Sequence, residues 1–352
     1  MDATLTEEQQ MLRESVSKFC KNDVPLEKVR ELADHPTGLP EEIWAQIAEQ
    51  GWLALLIPEE NGGMGLGVQD LAIVCEEMGR NLLPGPFLST VLAAHAIAIG
   101  GSDAAKATWL EKVAGGEAKG ALALLDSDAV FAPGAITETR YVASGDGFTI
   151  NGKKYLVPDA VAADFFVVAA GNGDGVTLFL VPAKNAGVSV AANKLTDSTS
   201  RSGQVTISNV KLGSDALIGT LGNGWDVVER VVEVANVCTA GASVAGAERI
   251  LKTTVDYAKE RTQFGVLIGT FQAVKHPLAR LFAIIESARS AYSYAAWAID
   301  ADAPDRKAAV ATARLTCTEA YRRTTLDCLQ AHGGIGFTWE YDLHLFLKRA
   351  KH

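Results

Sequence analysis

The chain has 352 residues, of which 48% are apolar and 21% charged, and its formal net charge is −10. This length and composition predict a globular protein with two or three structural units. The negative charge argues against nucleic acid or an anionic membrane as a partner. The acidic start lacks the apolar core of a signal peptide, and no apolar run approaches the length of a membrane span, so we expect a cytoplasmic protein.

The cysteines and histidines suggest no covalent or metal-binding framework. The five cysteines are widely spread and include no Cys-x-x-Cys pair, which is typical of free thiols in a reducing compartment. The six histidines do not combine with them at metal-ligand spacing. We therefore expect no metal site.

The first third of the sequence predicts helices. Thr6 is a capping candidate before apolar residues at helical spacing, and Pro40 followed by two glutamates is typical of a second helix start. A glycine-rich loop at 58–67 follows. Two further helices are predicted at 69–78 and 87–100.

Short apolar stretches separated by turn residues replace this pattern between 119 and 222. Within 147–157, the pair Asn151-Gly152 predicts a turn between two short strands. Many short strands at close intervals predict a β-sandwich or small barrel. The further strands are predicted at 165–168, 176–181 and 204–208.

Beyond Gly222 the sequence predicts helices to its end. The run from Val231 to Ala247 is almost uniformly apolar, which is typical of a helix buried on nearly all sides. The order of elements predicts an α+β fold with three domains. These are an N-terminal α-helical domain at 1–118, a middle β-domain at 119–222 and a C-terminal helical domain at 223–352.

Two segments of the C-terminal part carry groups that suit a dinucleotide. Arg261, Phe264 and Gly265 follow one another closely, and Gln272 comes one short loop later. A guanidinium can hold a pyrophosphate, a ring can cover a heterocycle, and glycine permits close backbone approach. The second segment, 330–336, contains glycines whose amides can face phosphate oxygens. Arg261 alone would also suit a surface helix end, but the ordered set favours a cofactor site.

With these motifs at this spacing, most of the chain resembles the acyl-CoA dehydrogenase family of flavoproteins. The resemblance implies a C-terminal four-helix bundle, FAD as cofactor, and α,β-dehydrogenation of an acyl-CoA thioester with hydride transfer to flavin N5. It implies that Arg261 binds the pyrophosphate, that Phe264 packs near the isoalloxazine or its linker, and that Gln272 meets the adenosine side. The segment from Gln330 would serve the FAD of a neighbouring subunit. The implied cofactor-binding residues are Arg261, Gln263, Phe264, Gln272, Gln330, Gly333 and Gly334.

The middle domain departs from the family pattern in two places. Where members carry an acidic-Pro…Gly-Ser-Asp stretch, this sequence has 125–129, which reads Leu-Asp-Ser-Asp-Ala. Where members carry Trp-Ile-Ser/Thr behind the flavin ring, it has Leu156-Val157-Pro158. Proline has no amide hydrogen, and the hydroxyl is missing. Both differences concern groups with which this β-domain would contact a flavin.

The catalytic base of the family is not recognisable. Members place a glutamate on the buried helix, and counting back from Arg261 and forward from Gly224 puts that position at Ala235. Some relatives carry an acid about two turns later, where this chain has Ala242. The other known position lies on a loop that would follow residue 352.

Glu233 is the remaining candidate for the base, because it is the charged residue inside the apolar run. A buried carboxylate is costly without a purpose or a partner. Its register differs by two residues from that of Ala235, which turns it well away from the expected face. Pairing with a neighbouring helix or subunit is the favoured interpretation, and the catalytic residue stays unknown.

We therefore expect a subunit of an FAD-dependent acyl-CoA dehydrogenase. The stretch 76–88 is similar to that of bacterial two-chain enzymes, heterotetramers that often act on ring- or sterol-derived acyl-CoAs, and this chain resembles their degenerate member. The partner chain would then supply the base. Two alternatives remain: a complete homomeric enzyme with its base beyond residue 352, and a catalytically silent binding or scaffold protein. Electron-transfer flavoprotein as the electron acceptor rests on the resemblance alone.

Overall fold

The computed structural model describes residues 4–127 and 130–352. The first part of this chain is helical, as predicted. Thr6 accepts a hydrogen bond from the backbone of Gln9 at 3.2 Å, and the Gln9 side chain accepts one from the backbone of Thr6, which completes a capping box. The helices before the sheet are α1 (Glu7–Asn22), α2 (Leu26–Glu31), α3 (Glu41–Glu49), α4 (Val68–Arg80), α5 (Phe87–Gly100) and α6 (Asp103–Ala114).

The middle part of the chain forms one sheet from its described strands. Their order is β6-β7-β3-β2-β4-β5-β8, and β1 pairs in parallel with β4. The middle β-domain of the predicted fold class is therefore present. The strands are β1 (Gly120–Ala123), β2 (Arg140–Ser144), β3 (Gly147–Pro158), β4 (Phe165–Gly171), β5 (Val176–Pro182), β6 (Val188–Ala192), β7 (Ser202–Gly213) and β8 (Leu217–Ile218).

The predicted turn at Asn151-Gly152 is wrong. β3 runs unbroken through this pair, because β2 and β7 hydrogen-bond to it on both sides. The pair forms a bulge instead, in which the side-chain oxygen of Asn151 accepts a hydrogen bond of 2.7 Å from the backbone of Asn209. The hairpin turn lies earlier, at residues 145–146, where β2 meets β3. Pairing on both edges outweighs the local turn preference of Asn-Gly.

The sheet separates two apolar cores. Along β4, Phe166 and Val168 join the core that the strands enclose among themselves, whereas Phe165 and Val167 join the helical core. Both faces of β4 are therefore buried, which explains its continuous apolar sequence. One core belongs to the sheet, and the other extends through the helices before and after it.

The last part of the chain is a helical bundle around α7 (Trp225–Glu260). This helix passes through the core, as its apolar sequence predicts, and α4 lies so close that a methyl group on Gly79 would sit 2.4 Å from Ala242 Cα. Among the described residues, no helix is long and apolar enough to cross a bilayer. The remaining elements are the short strands β9 (Thr262–Gln263) and β10 (Val266–Leu267), and the helices α8 (Gln272–Asp300), α9 (Arg306–His332) and α10 (Leu343–Lys351).

The predicted domain boundaries fall in connecting segments of this architecture. The segment between α6 and β1 contains the boundary at 118/119, and the segment between β8 and α7 contains the boundary at 222/223. The boundaries themselves stay a prediction.

Candidate functional site

The two segments with dinucleotide-binding groups lie next to each other in the structure. The ring of Tyr257, one helical turn before Arg261, stacks on the imidazole of His332 with centroids 4.3 Å apart and planes at 20°. His332 is the last residue of α9 and directly precedes Gly333. The end of α7 and the end of α9 therefore meet at one end of the bundle.

Phe264 occupies the tip of a tight hairpin. β9 and β10 pair so that Gln263 lies opposite Val266, and the two turn residues, Phe264 and Gly265, have φ values of +54° and +81°. Such a turn suits Asn-Gly, and a phenylalanine in this conformation is strained. The Phe264 side chain is nevertheless 93% exposed. The hairpin thus holds an apolar ring exposed to solvent at the cost of backbone strain.

The two segments also carry exposed polar side chains and open backbone. Arg261, Gln263, Gln272 and Gln330 are all exposed. A methyl group built on Gly265, Gly333 or Gly334 would meet no described atom within 4 Å, so their backbone groups are accessible to a ligand. A cationic fork, an exposed ring, amide side chains and open glycine backbone together suit a pyrophosphate-linked dinucleotide.

The face of α7 that turns towards the sheet is apolar. Val227, Val228 and Val231 line a crevice against Leu122 and other apolar side chains of α5, β1, β4 and β5. The crevice has no space for a water molecule. Ala235 is half-buried one turn beyond Val231 and on the same face. The position expected to hold a base therefore presents a methyl group that packs against the helical core.

Glu233 lies on a different face of α7. Its carboxylate accepts a hydrogen bond of 2.8 Å from Nε of Arg306, at the start of α9, and the Glu233 side chain is 10% exposed. An ion pair between two helices accounts for this buried charge without a catalytic role. Ala242 faces Gly79 of α4 at a distance that leaves no room for a carboxylate.

Comparison with known proteins shows three matching family descriptions in chain order. "Acyl-CoA dehydrogenase, N-terminal domain" matches residues 6–117, the middle domain 121–210 and the C-terminal domain 222–352. The chain belongs to the acyl-CoA dehydrogenase family. Its class is oxidoreductase, its cofactor is FAD, and its predicted fold of N-terminal helices, middle sheet and C-terminal bundle is confirmed.

Individual relatives in the acyl-CoA dehydrogenase family match almost end to end. IpdE2 of Mycobacterium tuberculosis is 35% identical over 348 residues, which are 99% of this chain and 92% of that protein. A chain in the structure of the ChsE4–ChsE5 complex of the same organism is 29% identical, with a TM-score of 0.90 and coverage of 100% of this chain and 93% of that chain. Tcur3481–Tcur3483, a steroid acyl-CoA dehydrogenase variant, is 30% identical, with a TM-score of 0.87 and coverage of 99% and 93%.

In this acyl-CoA dehydrogenase, the stretch 125–129, which departs from the family pattern, contains a buried ion pair. Asp126 accepts a hydrogen bond of 2.7 Å from Lys154 Nζ and another of 2.7 Å from Thr139 Oγ1. Burial acts to raise the pKa of Asp126, but Lys154 and Thr139 lower it overall. The carboxylate therefore stays charged and joins the end of β1 to β3. Residues 128 and 129 of this stretch lie outside the described residues.

The other segment that departs from the family pattern, Leu156-Val157-Pro158, exposes an aliphatic side chain. Leu156 has a φ of +51° and is 52% exposed, at an irregularity in the pairing of β3 with β7. Pro158 ends the strand and is exposed. In place of an aromatic ring and a hydroxyl, this surface offers a leucine and a residue without an amide hydrogen, so it fits the flavin ring less well than the family pattern does.

Sequence reasoning missed the ring stack that joins the two segments. Tyr257 and His332 lie at the borders of the motifs, but no local pattern pairs residues so far apart in the chain. It also missed the role of the stretch at 76–88. Glu76 in that stretch is a buried residue of α4, and it accepts hydrogen bonds of 2.9 Å from Arg289 and 3.2 Å from Tyr292, both on α8. This part of the stretch holds helices together.

Proposed function

We propose that this chain is a subunit of a heteromeric acyl-CoA dehydrogenase. It contributes contacts to a shared FAD and relies on a homologous partner chain for the catalytic base. The observation that carries the proposal is Ala235, a half-buried residue packed against the helical core one turn beyond Val231, which lines a crevice that admits no water. An acyl chain and a carboxylate would both need space there.

Each residue of the proposed FAD site has a separate task. The guanidinium of Arg261 binds the pyrophosphate, the amides at Gly333 and Gly334 donate to its oxygens, and Gln272 meets the adenosine side. Phe264 covers the isoalloxazine or its linker, while the amides of Gln263 and Gln330 supply further polar contacts. FAD supplies the acceptor for the β-hydrogen of the acyl thioester when it is bound. This chain's own contribution is binding and orientation.

A partner chain would complete the site with a carboxylate in an apolar pocket, where the pKa of the acid is raised enough to remove the α-proton. The similarity to ChsE4–ChsE5, which was solved as a two-chain complex, supports a heterotetramer. The similarity to a steroid acyl-CoA dehydrogenase supports a bulky ring- or sterol-derived acyl-CoA as substrate. Electron-transfer flavoprotein is the proposed acceptor of the electrons, by analogy with the family.

Co-expression tests this proposal. We expect the chain to bind little FAD alone, and to form a yellow assembly that oxidises acyl-CoA when produced with the homologous chain encoded beside it. Flavin absorbance per chain and acyl-CoA oxidation are the two measurements. Equal flavin content and equal activity with and without the neighbour would refute the heteromer. An assembly that stays colourless with added FAD would refute the enzyme and favour a catalytically silent scaffold protein.

A further inference from the structure

Three rings pack against one another at the ends of the two segments that carry the proposed FAD contacts. Besides the contact of Tyr257 with His332, the imidazole of His332 lies 5.5 Å from the ring of Tyr341, and the two tyrosine rings are 6.4 Å apart. We call Tyr257, His332 and Tyr341 the aromatic stack. His332 is 4% exposed. The stack joins α7, α9 and the segment that precedes α10.

The orientation of the imidazole is fixed by its own helix. Nδ1 of His332 lies 2.9 Å from the carbonyl oxygen of Cys328, and because a carbonyl only accepts, Nδ1 carries the hydrogen. Nε2 is buried and has no partner among the described residues. Burial lowers the pKa of His332, so the ring is neutral at physiological pH. A neutral ring stacks on Tyr257 without a buried charge.

Both residues of the stack, Tyr257 and His332, are directly connected to proposed cofactor-binding groups. The backbone N–H of Arg261 donates to the carbonyl of Tyr257 at 2.9 Å, so a shift of Tyr257 moves the arginine. On the other side, Gly333 follows His332 with φ +62° and ψ −141°, a conformation almost restricted to glycine. The exposed groups themselves have few contacts that could fix their separation. The stack is the contact next to both groups that joins the end of α7 to the end of α9.

We propose that Tyr257 and His332 are positioning residues of the FAD site. Their stack sets the separation between the guanidinium of Arg261 and the backbone of Gly333 and Gly334, so that both segments meet the same dinucleotide, the FAD shared with a neighbouring subunit. Neither residue needs to touch FAD. This inference rests on the proposed function, because it presupposes that these two segments bind FAD.

The test is a double-mutant cycle on FAD affinity, measured by fluorescence titration of the FAD-depleted assembly. We expect Tyr257→Leu and His332→Leu each to weaken FAD binding about fivefold, as the loss of one aromatic contact predicts. Tyr257→Phe keeps the ring and should retain the affinity of the original chain. In an Arg261→Ala background, Tyr257→Leu should cost less than about twofold, because the group that it positions is gone.

A control separates positioning from general stability. Phe19→Leu removes one ring of a buried aromatic pair with Trp52, at a centroid distance of 5.3 Å in the N-terminal helices. It should lower Tm and leave FAD affinity unchanged. If His332→Leu fails to fold, His332→Phe still tests whether a stacked ring at this position maintains FAD affinity. A phenyl ring should keep the stack and the FAD affinity within about threefold.

The possible failures are distinguishable. If Tyr257→Leu weakens FAD binding equally with and without Arg261, or if His332→Phe loses as much affinity as His332→Leu, the positioning role is refuted while the site stands. If Arg261→Ala itself leaves FAD affinity unchanged, the proposed FAD site is refuted, and the positioning role falls with it.

Discussion

Arg261 is the residue on which the proposed FAD site depends most. It caps the end of α7 in an extended conformation, is exposed, and directly precedes the hairpin that carries Phe264. A guanidinium presents two parallel donors to a phosphate, whereas an ammonium presents a single point charge. The chemistry of the fork, and not the charge alone, should therefore determine affinity for the pyrophosphate.

This difference gives a prediction at the residue scale. Arg261→Lys keeps the charge but loses the fork, so it should weaken FAD binding by about tenfold, and Arg261→Ala should weaken it further. Titration of the FAD-depleted assembly measures both. Arg280→Lys, at another exposed arginine of the bundle, is the control and should change nothing. Equal affinities for Arg261→Lys and the original chain would argue against bidentate pyrophosphate binding.

At the scale of elements, the start of α4 is capped by the end of α8. The carboxylate of Asp300 accepts hydrogen bonds from the backbone N–H groups of Val68 at 2.7 Å and Gln69 at 2.9 Å. These amides have no partner within their own helix. A carboxylate also interacts favourably with the positive end of the helix dipole. Asp300 thereby fastens the N-terminal helices to the bundle.

Removal of this cap should destabilise the protein without altering chemistry. Asp300→Ala should lower the free energy of unfolding by about 1–2 kcal/mol, as for other lost helix caps. Urea denaturation followed by circular dichroism measures the change. Asp256→Ala is the control, because Asp256 makes an exposed pair with Lys252 and should matter by less than about 0.5 kcal/mol. Equal effects of the two variants would contradict a capping role.

Elements with a local signal could be predicted from the sequence, and contacts between distant elements could not. The helix cap at Thr6 and the buried helix after Val231 depend on residues close together in the chain, and both were predicted. The turn at Asn151-Gly152 failed because strands from elsewhere pair on both sides of it. Helix α6 was overlooked, although Ser102 caps it through the backbone of Ala105.

The same division holds for the candidate site. The cofactor-binding residues were predicted from a family pattern, and they remain a prediction that FAD titration must test. The contact between Tyr257 and His332 joins two helix ends and has no counterpart in local sequence. Glu233 is similar, because its partner Arg306 lies at the start of a different helix. From the sequence, its two-residue offset from Ala235 argued against a catalytic role, but its ion-pair partner could not be identified.

At the scale of the whole molecule, α10 is tied to the sheet by a buried ion pair. Asp197, between β6 and β7, accepts a hydrogen bond of 2.7 Å from Nε of Arg349 on α10. Burial acts to raise the pKa of Asp197, but Arg349 and the hydrogen bonds from Ser200 and Thr199 lower it to about 2. Folding therefore favours the charged form of this carboxyl.

This pKa gives a prediction for stability against pH. Because the folded pKa lies below the ordinary value of 3.8, the contribution of Asp197 is complete above about pH 4 and is lost as the pH falls towards 2. Its size is about 2 kcal/mol. Asp197→Asn should thus lower Tm at pH 7 and flatten the acid limb of the stability curve. An unchanged acid limb would contradict the role of this pair.

The central claim is that this chain helps to bind FAD but does not supply the base that starts the reaction. Anaerobic addition of a ring- or sterol-derived acyl-CoA, followed by the flavin absorbance band, tests it most directly. We predict that the band bleaches in the assembly with the partner chain and stays unchanged for this chain alone with added FAD. Bleaching of FAD on the isolated chain at the rate of the assembly would contradict the claim, because Ala235 cannot take the proton.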